Sequence, residues 1–163
     1  MSLPLRPNVG VVLFSRTGLV LVARRADFPN AGGTAGGWQL PQGGMDAGED
    51  PYRAALRELK EEVGTDHASL LAEYPDWLDY DLPAELIGRA LGGKWRGQTQ
   101  KWFALRFDGE DADIRLDLDP HPEFDAWRWA RLEEVPGMAV DFKRTIYETL
   151  AREFARFAAP PRE

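Results

Sequence analysis

The chain has 163 residues, 44% hydrophobic and 29% charged, which is the balance of a soluble globular protein large enough to bury one core. It has no cysteine, so disulfides, a disulfide-linked partner and thiolate metal sites are excluded, and its two histidines, His67 and His121, are too few for an imidazole-rich zinc centre. The net charge of −7 argues against a nucleic-acid binder that neutralises many phosphates, but not against one nucleotide end held at a metal ion, which supplies its own positive field.

No apolar run has the length of a membrane span and no linker divides the chain, so a single domain over 1–163 is expected in the cytoplasm, as a monomer with no membrane partner. In chain order, residues 8–14 and 18–24 are β-rich runs around a short Arg16-Thr17-Gly18 turn and predict a hairpin. Residues 26–37 form a glycine-rich connection without the Gly-Lys-Ser/Thr signature of a phosphate loop. Trp38 to Pro41 reads as a short strand.

Asp50-Pro51 is a helix start, an N-cap followed by proline at the first helical position, and Gly64 is a stop that accepts the left-handed cap conformation. Between them Tyr52, Ala55, Leu56, Leu59 and Val63 mark an apolar face, while Glu58, Glu61 and Glu62 stack on another at i, i+3 and i+4. Arg57 stands one turn before Glu61 and can hold one carboxylate, but one cation does not neutralise three. A solvated acidic face is the plain reading of such a cluster. The other is a shell for a hard divalent cation, which takes carboxylate oxygens together with water and phosphate, with Glu49 on the incoming loop adding to it.

Beyond the helix, residues 68–74 and 77–80 read as strands, Pro83 to Arg89 as a helical turn, and 92–97 as a turn or loop. Strands follow at 99–107 and 124–130, the latter with Trp127 and Trp129 on one face. Leu132 to Val135 reads as a short helix, and Asp141 to Phe157 as a longer one with Ile146, Leu150, Phe154 and Phe157 on its stripe. The last residues, from Ala159, read as a frayed tail. Mixed strands and helices predict an α/β protein with a sheet between helices.

The order Gly43, five residues, Glu49, seven residues, Arg57-Glu58-Leu59, one residue, Glu61-Glu62, one residue, Gly64 resembles the Nudix box, here residues 43–65. Only Thr65 departs, where an aliphatic residue is usual, and the expected effect is on packing behind the loop. The segments RPNVG, WQLPQGG, DWLDYDLP, GQTQKWFALRF, PEFDAWRW and VDFKRTIYE extend the similarity over nearly the whole chain. They look like those of bacterial RNA pyrophosphohydrolases and diadenosine polyphosphate hydrolases, alphaproteobacterial members above all.

The resemblance implies a Nudix fold, an α/β/α sandwich with a central mixed sheet. It further implies cleavage of a phosphoanhydride in a 5′-triphosphorylated RNA end or a dinucleoside polyphosphate, with Mg²⁺ as cofactor and Mn²⁺ as a substitute. Glu58, Glu61, Glu62 and Glu123 would be metal ligands and candidate bases, joined by Gly43 at the metal and by Arg57 in the catalytic group. Arg6, Arg25, Gln42, Tyr80, Lys101 and Lys143 would face the polyphosphate or ribose. Phe142 and Val140 would contact the first base, with Arg25 stacking on its other side. Each has a plainer reading: Glu123 as a loop acid before a strand, the cations as surface residues, Tyr80, Trp77 and Trp95 as core or rim aromatics, with Trp77 assigned to the core. A Nudix-fold module that binds nucleotides without hydrolysing them is the alternative outside enzymes, and retention of the four glutamates favours the enzyme.

Overall fold

The computed structural model describes residues 3–26, 37–139 and 141–159. The order is β1 (Leu5–Phe14), β2 (Val20–Arg25), β3 (Trp38–Gln39), β4 (Gln42–Gly44), α1 (Pro51–Val63), β5 (Ala68–Glu73), β6 (Leu78–Asp81), β7 (Gly97–Phe107), β8 (Phe124–Ala130) and α2 (Asp141–Glu153). Short 3-10 turns lie at 84–86, 90–93, 132–138 and 155–157. The expected elements are present, with α2 ending in a separate turn that carries Phe157. The glycine-rich connection falls almost wholly outside the described residues, as does the tail beyond Ala159.

The strands form one mixed sheet in which β1 lies parallel to β7 from Leu5↔Gly97 to Phe14↔Arg106. The other edge of β1 is divided. It pairs with β4 at Asn8↔Gly44, Val9↔Gly43 and Gly10↔Gln42, and with β2 at Phe14↔Val20. Period-two alternation then assigns each side chain to a face. Val9, Val11, Leu13, Leu21, Phe103 and Leu105 meet α1 through Ala54, Ala55, Leu59 and Val63. Val12, Phe14, Val20, Val22, Trp102 and Ala104 meet α2 through Ile146, Tyr147, Leu150 and Phe154. A sheet apolar on both faces must be covered on both, which gives the α/β/α sandwich.

Helix α1 begins and ends as its sequence dictates. The Asp50 carboxylate accepts the Arg53 N–H at 3.1 Å, and Gly64, at φ 82°, donates its N–H to the Lys60 carbonyl. Thr65 is buried, and its hydroxyl oxygen accepts the His67 N–H at 3.1 Å, so the unusual last residue of the box serves the turn behind the helix. One expectation fails: Trp77 is 43% exposed, because the strand that would have carried it starts only at Leu78.

On the α2 face, Trp102 is fully buried and stands edge-on to Tyr147, whose hydroxyl oxygen accepts the Leu40 N–H at 3.1 Å. The tryptophan has room because its neighbour on β1 is Gly10, where a Cβ would overlap the indole ring. Replacing Gly10 by Ala should therefore cost about 1–3 kcal/mol through overpacking. Urea unfolding checks this: the midpoint should fall with the slope unchanged, and an unaltered midpoint would mean that the ring moves freely.

Candidate active site

Strand β4 brings the acidic helix to the sheet. A side chain at Gly43 would overlap the Glu58 carboxylate, and one at Gly44 would overlap the Arg6 guanidinium, so two consecutive glycines let an acid and a base approach the same short strand. The Gln42 N–H donates to Glu62 Oε2 at 3.3 Å. The i, i+3, i+4 spacing of the glutamates becomes an array along the β4 side of α1.

Arg57 holds this array together. Its Nε and Nη2 donate to the two oxygens of Glu49 at 2.8 and 2.9 Å, and Nη2 also donates to the Gly44 carbonyl at 3.0 Å. Nη1 reaches Glu58 at 3.0 Å and Glu61 at 3.2 Å. Both oxygens of Glu49 are thus committed to Arg57, and this pairing, with the Asp46 N–H, holds the Glu49 carboxyl down at about 2. Glu49, expected beside the acidic cluster, is the acid that anchors the arginine. The arginine reaches two more carboxylates, Glu49 and Glu58, than the helical spacing alone suggested.

Glu62 has no such partner. It is 5% exposed, and its Oε1 is buried without any hydrogen-bond donor. Burial, followed by repulsion from Glu123 and Glu58, pushes its carboxyl well above the usual range. Glu58 is raised too, chiefly by burial, with Arg57 opposing. Glu123, on the exposed rim just before β8, is raised by partial burial and by Asp119 and Glu61, against Arg25 and Arg6. Carboxylates that repel one another, one with an orphaned buried oxygen, form a donor set for a cation. Among the described residues no three such side chains are drawn around a common point, since Glu58 and Glu61 lean on Arg57. The chemistry nonetheless fits a hard divalent ion, whose charge would offset their mutual repulsion.

A cavity of about 800 Å³ opens beside these acids, and the buried Glu62 is not part of its lining. Gly43, Glu58, Glu61 and Glu123 lie on it, and Arg6, Arg25, Gln42 and Lys143 face the same space. Arg25 reaches it at the end of β2, where the pairing with β8 shifts register. Its far end is aromatic and apolar: Tyr80 and Phe142 stand with ring centroids 5.4 Å apart, beside Leu82, Leu86 and Leu91. The Lys143 ammonium lies 5.6 Å from the Tyr80 ring centroid, and burial, reinforced by Arg25, pushes it down to about 8. Burial raises the Tyr80 hydroxyl, so the ring acts here as a neutral surface.

Lys101 is not brought to the cavity. Alternation along β7 places it on the face of Phe103 and opposite Gln98 and Gln100, where its ammonium donates to the Pro75 carbonyl at 2.9 Å and lies 3.8 Å from Glu73. Val140 lies outside the described residues. Conversely, Asn8, Gln39, Arg89 and Gln98 line the cavity without having been singled out. A signal for one of them exists in the sequence: Gln98 alternates in step with Gln100 and Trp102, so buried amides share the tryptophan's face of an otherwise apolar strand.

Comparison with known proteins agrees with this geometry. The chain is 62% identical over 161 residues to the RNA pyrophosphohydrolase of Gluconacetobacter diazotrophicus, covering 98% of this chain and 96% of that protein. It is 59% identical over 158 residues to the RNA pyrophosphohydrolase of Acidiphilium cryptum, covering 96% and 94%. Among solved structures, an Ap4A hydrolase from C. elegans superposes with a TM-score of 0.67 at 23% identity over 94% of this chain and 97% of that one, a likeness of fold. The NUDIX domain is matched over residues 4–150, from before β1 into α2, so the match takes in both layers that flank the sheet: the chain belongs to the Nudix family.

Proposed function

We propose that this chain is a Mg²⁺-dependent Nudix pyrophosphohydrolase that removes pyrophosphate from 5′-triphosphorylated RNA and also hydrolyses diadenosine polyphosphates. The observation that carries this reading is the division of a single cavity into an acidic wall, a cationic middle and an aromatic end. That sequence of surfaces matches metal ions, a polyphosphate and a nucleoside in turn. The names of the most similar relatives point to RNA as the polyphosphate's carrier. Among the described residues no helix is long and apolar enough to cross a membrane, and we place the enzyme in the cytoplasm as a monomer.

Glu58, Glu61, Glu62 and Glu123, with the Gly43 backbone, would hold the cations. Bound divalent ions would neutralise non-bridging oxygens and make water a stronger nucleophile. Arg57 keeps Glu58 and Glu61 in register while leaving Glu62 free of any donor on Oε1. Arg6, Arg25 and Lys143 take up negative charge as the anhydride breaks by in-line displacement, and one of the four glutamates accepts the proton of the attacking water. Phe142 offers a face for a base, a contact worth ~1–3 kcal/mol that tolerates any base.

The direct test is kcat/KM in Mg²⁺ for a short 5′-triphosphorylated RNA beside diadenosine tetraphosphate. The RNA should be preferred; a large preference for the dinucleotide would make polyphosphate clearance the main activity, and turnover of neither would remove the substrate assignment. A second test concerns Glu62→Gln, which should lower kcat/KM roughly a thousandfold, about 4 kcal/mol of transition-state stabilisation. The sign of the stability effect is opposite. A buried carboxyl whose folded-state pKa is raised makes metal-free stability fall as pH rises through that range, so the glutamine variant should melt higher without metal at pH 7. Added Mg²⁺ should raise the Tm of the parent protein but not of the variant; an equal rise in both would remove Glu62 from the metal site. A third test uses Lys143, whose ammonium titrates near 8. KM for a polyphosphate should rise as pH increases from 7 to 9.5 because the cation is lost, and Lys143→Arg should flatten that profile. A profile of the same shape in the variant would assign the titration elsewhere.

A further inference from the structure

Beneath the cationic stretch of the cavity lies a chain of buried side-chain hydrogen bonds. Trp102 Nε1 donates to Gln100 Oε1 at 3.1 Å, and Gln100 Nε2 donates to Asn8 Oδ1 and to Gln42 Oε1, both at 3.0 Å. Trp102, Gln100 and Asn8 are each at most 1% exposed, while Gln42 and Asn8 line the cavity. An amide on its own can be turned over without changing its shape, so the direction of such a chain is ordinarily ambiguous. Here it is not. An indole N–H can only donate, which requires the carbonyl end of Gln100 to face it. The amino end of Gln100 must then face Asn8 and Gln42, and its two protons are both used. Those two side chains must in turn offer oxygens to Gln100, which directs their amino groups away from it.

We propose that Trp102 and Gln100 are positioning residues that fix the amide of Gln42, and with it that of Asn8, donor-outward toward the polyphosphate of the substrate. This deepens the reading of the cavity given above and rests on it. A freely turning glutamine could present its carbonyl dipole to an anion as readily as its amino group. The fixed orientation removes the repulsive alternative before substrate arrives, which is preorganisation of the kind that lowers the cost of binding. It also accounts for a polar strand segment in the core: Gln100 is saturated on both ends, so its burial leaves no orphaned group. The backbone of the same Gln42 donates to Glu62, so one residue links the orientation of the anion site to the position of the buried glutamate.

The test reads side-chain amide protons directly. In ¹⁵N-labelled protein, the NH₂ pair of Gln42, assigned by its disappearance in Gln42→Met, should shift on titration with inorganic tripolyphosphate in the presence of Mg²⁺. In Trp102→Phe, which keeps an aromatic ring but removes the donor, that shift should be lost and the tripolyphosphate Kd should rise about tenfold, the size expected for one hydrogen bond to a charged group. Gln100→Met serves as the second variant if the first does not fold, and the same loss is expected. A merely structural role would lower Tm without changing the Gln42 response. The proposal is overturned if folded Trp102→Phe or Gln100→Met binds with the parent affinity and the parent Gln42 shift, or if the parent protein binds tripolyphosphate while the Gln42 pair stays still. Absence of tripolyphosphate binding by the parent would overturn the anion reading of the cavity itself, and the relay with it.

Discussion

The fold of this site depends on one guanidinium. Three glutamates within five residues of a helix repel one another, and the burial of two of them, Glu58 and Glu62, makes that repulsion worse by removing solvent. Arg57 is the local counter-charge, and its planar fork allows it to serve several acids at once. Glu49 takes its Nε and one amino group in a bidentate pair, and the remaining amino group bridges Glu58 and Glu61. The contact with the Gly44 carbonyl fixes the whole assembly to β4. An ammonium in its place would have three donors without this geometry, so the arginine sets both charge and direction.

What Arg57 leaves uncompensated is as informative as what it holds. Glu62 receives one backbone N–H from Gln42 and nothing on its other oxygen. A buried acceptor without a donor is a cost that a fold tolerates where a ligand removes it. The neighbouring charges on Glu58 and Glu123 add to that cost and point to the same remedy, a cation. Across the cavity the imbalance is reversed: Lys143 is held below its ordinary range by burial and by Arg25. A substrate that carries metal ions on one side and negative charge on the other relieves both at once, which is the property expected of a metal-bound polyphosphate.

Much of this was legible in one dimension because the relevant physics is local. Helical periodicity puts Glu58, Glu61 and Glu62 together whatever the rest of the chain does, and Asp50-Pro51 and Gly64 bound that helix by capping rules that need no tertiary partner. Strand alternation likewise sorted Trp127 and Trp129 onto a common face, where their rings meet at 5.7 Å. The same rule was available for Lys101 and would have removed it from the cavity, since it stands out of phase with Gln98 and Gln100. Trp77 went astray because its placement depends on where β6 begins, and strand ends are set by pairing with β7, a contact over some twenty residues of sequence.

Short-range spacing makes the acidic helix, its arginine and the two-faced sheet legible along the chain, and a long string of matched residues does the same for the family. It took the folded molecule to show that Glu49 gives both its oxygens to Arg57, that Glu62 keeps an unpartnered oxygen, and that Trp102 sets the direction of the amides under the cavity. Those facts rest on which atoms meet across distant strands and on how much water is excluded between them. Neither quantity has a period along the chain, so only folding brings them into being.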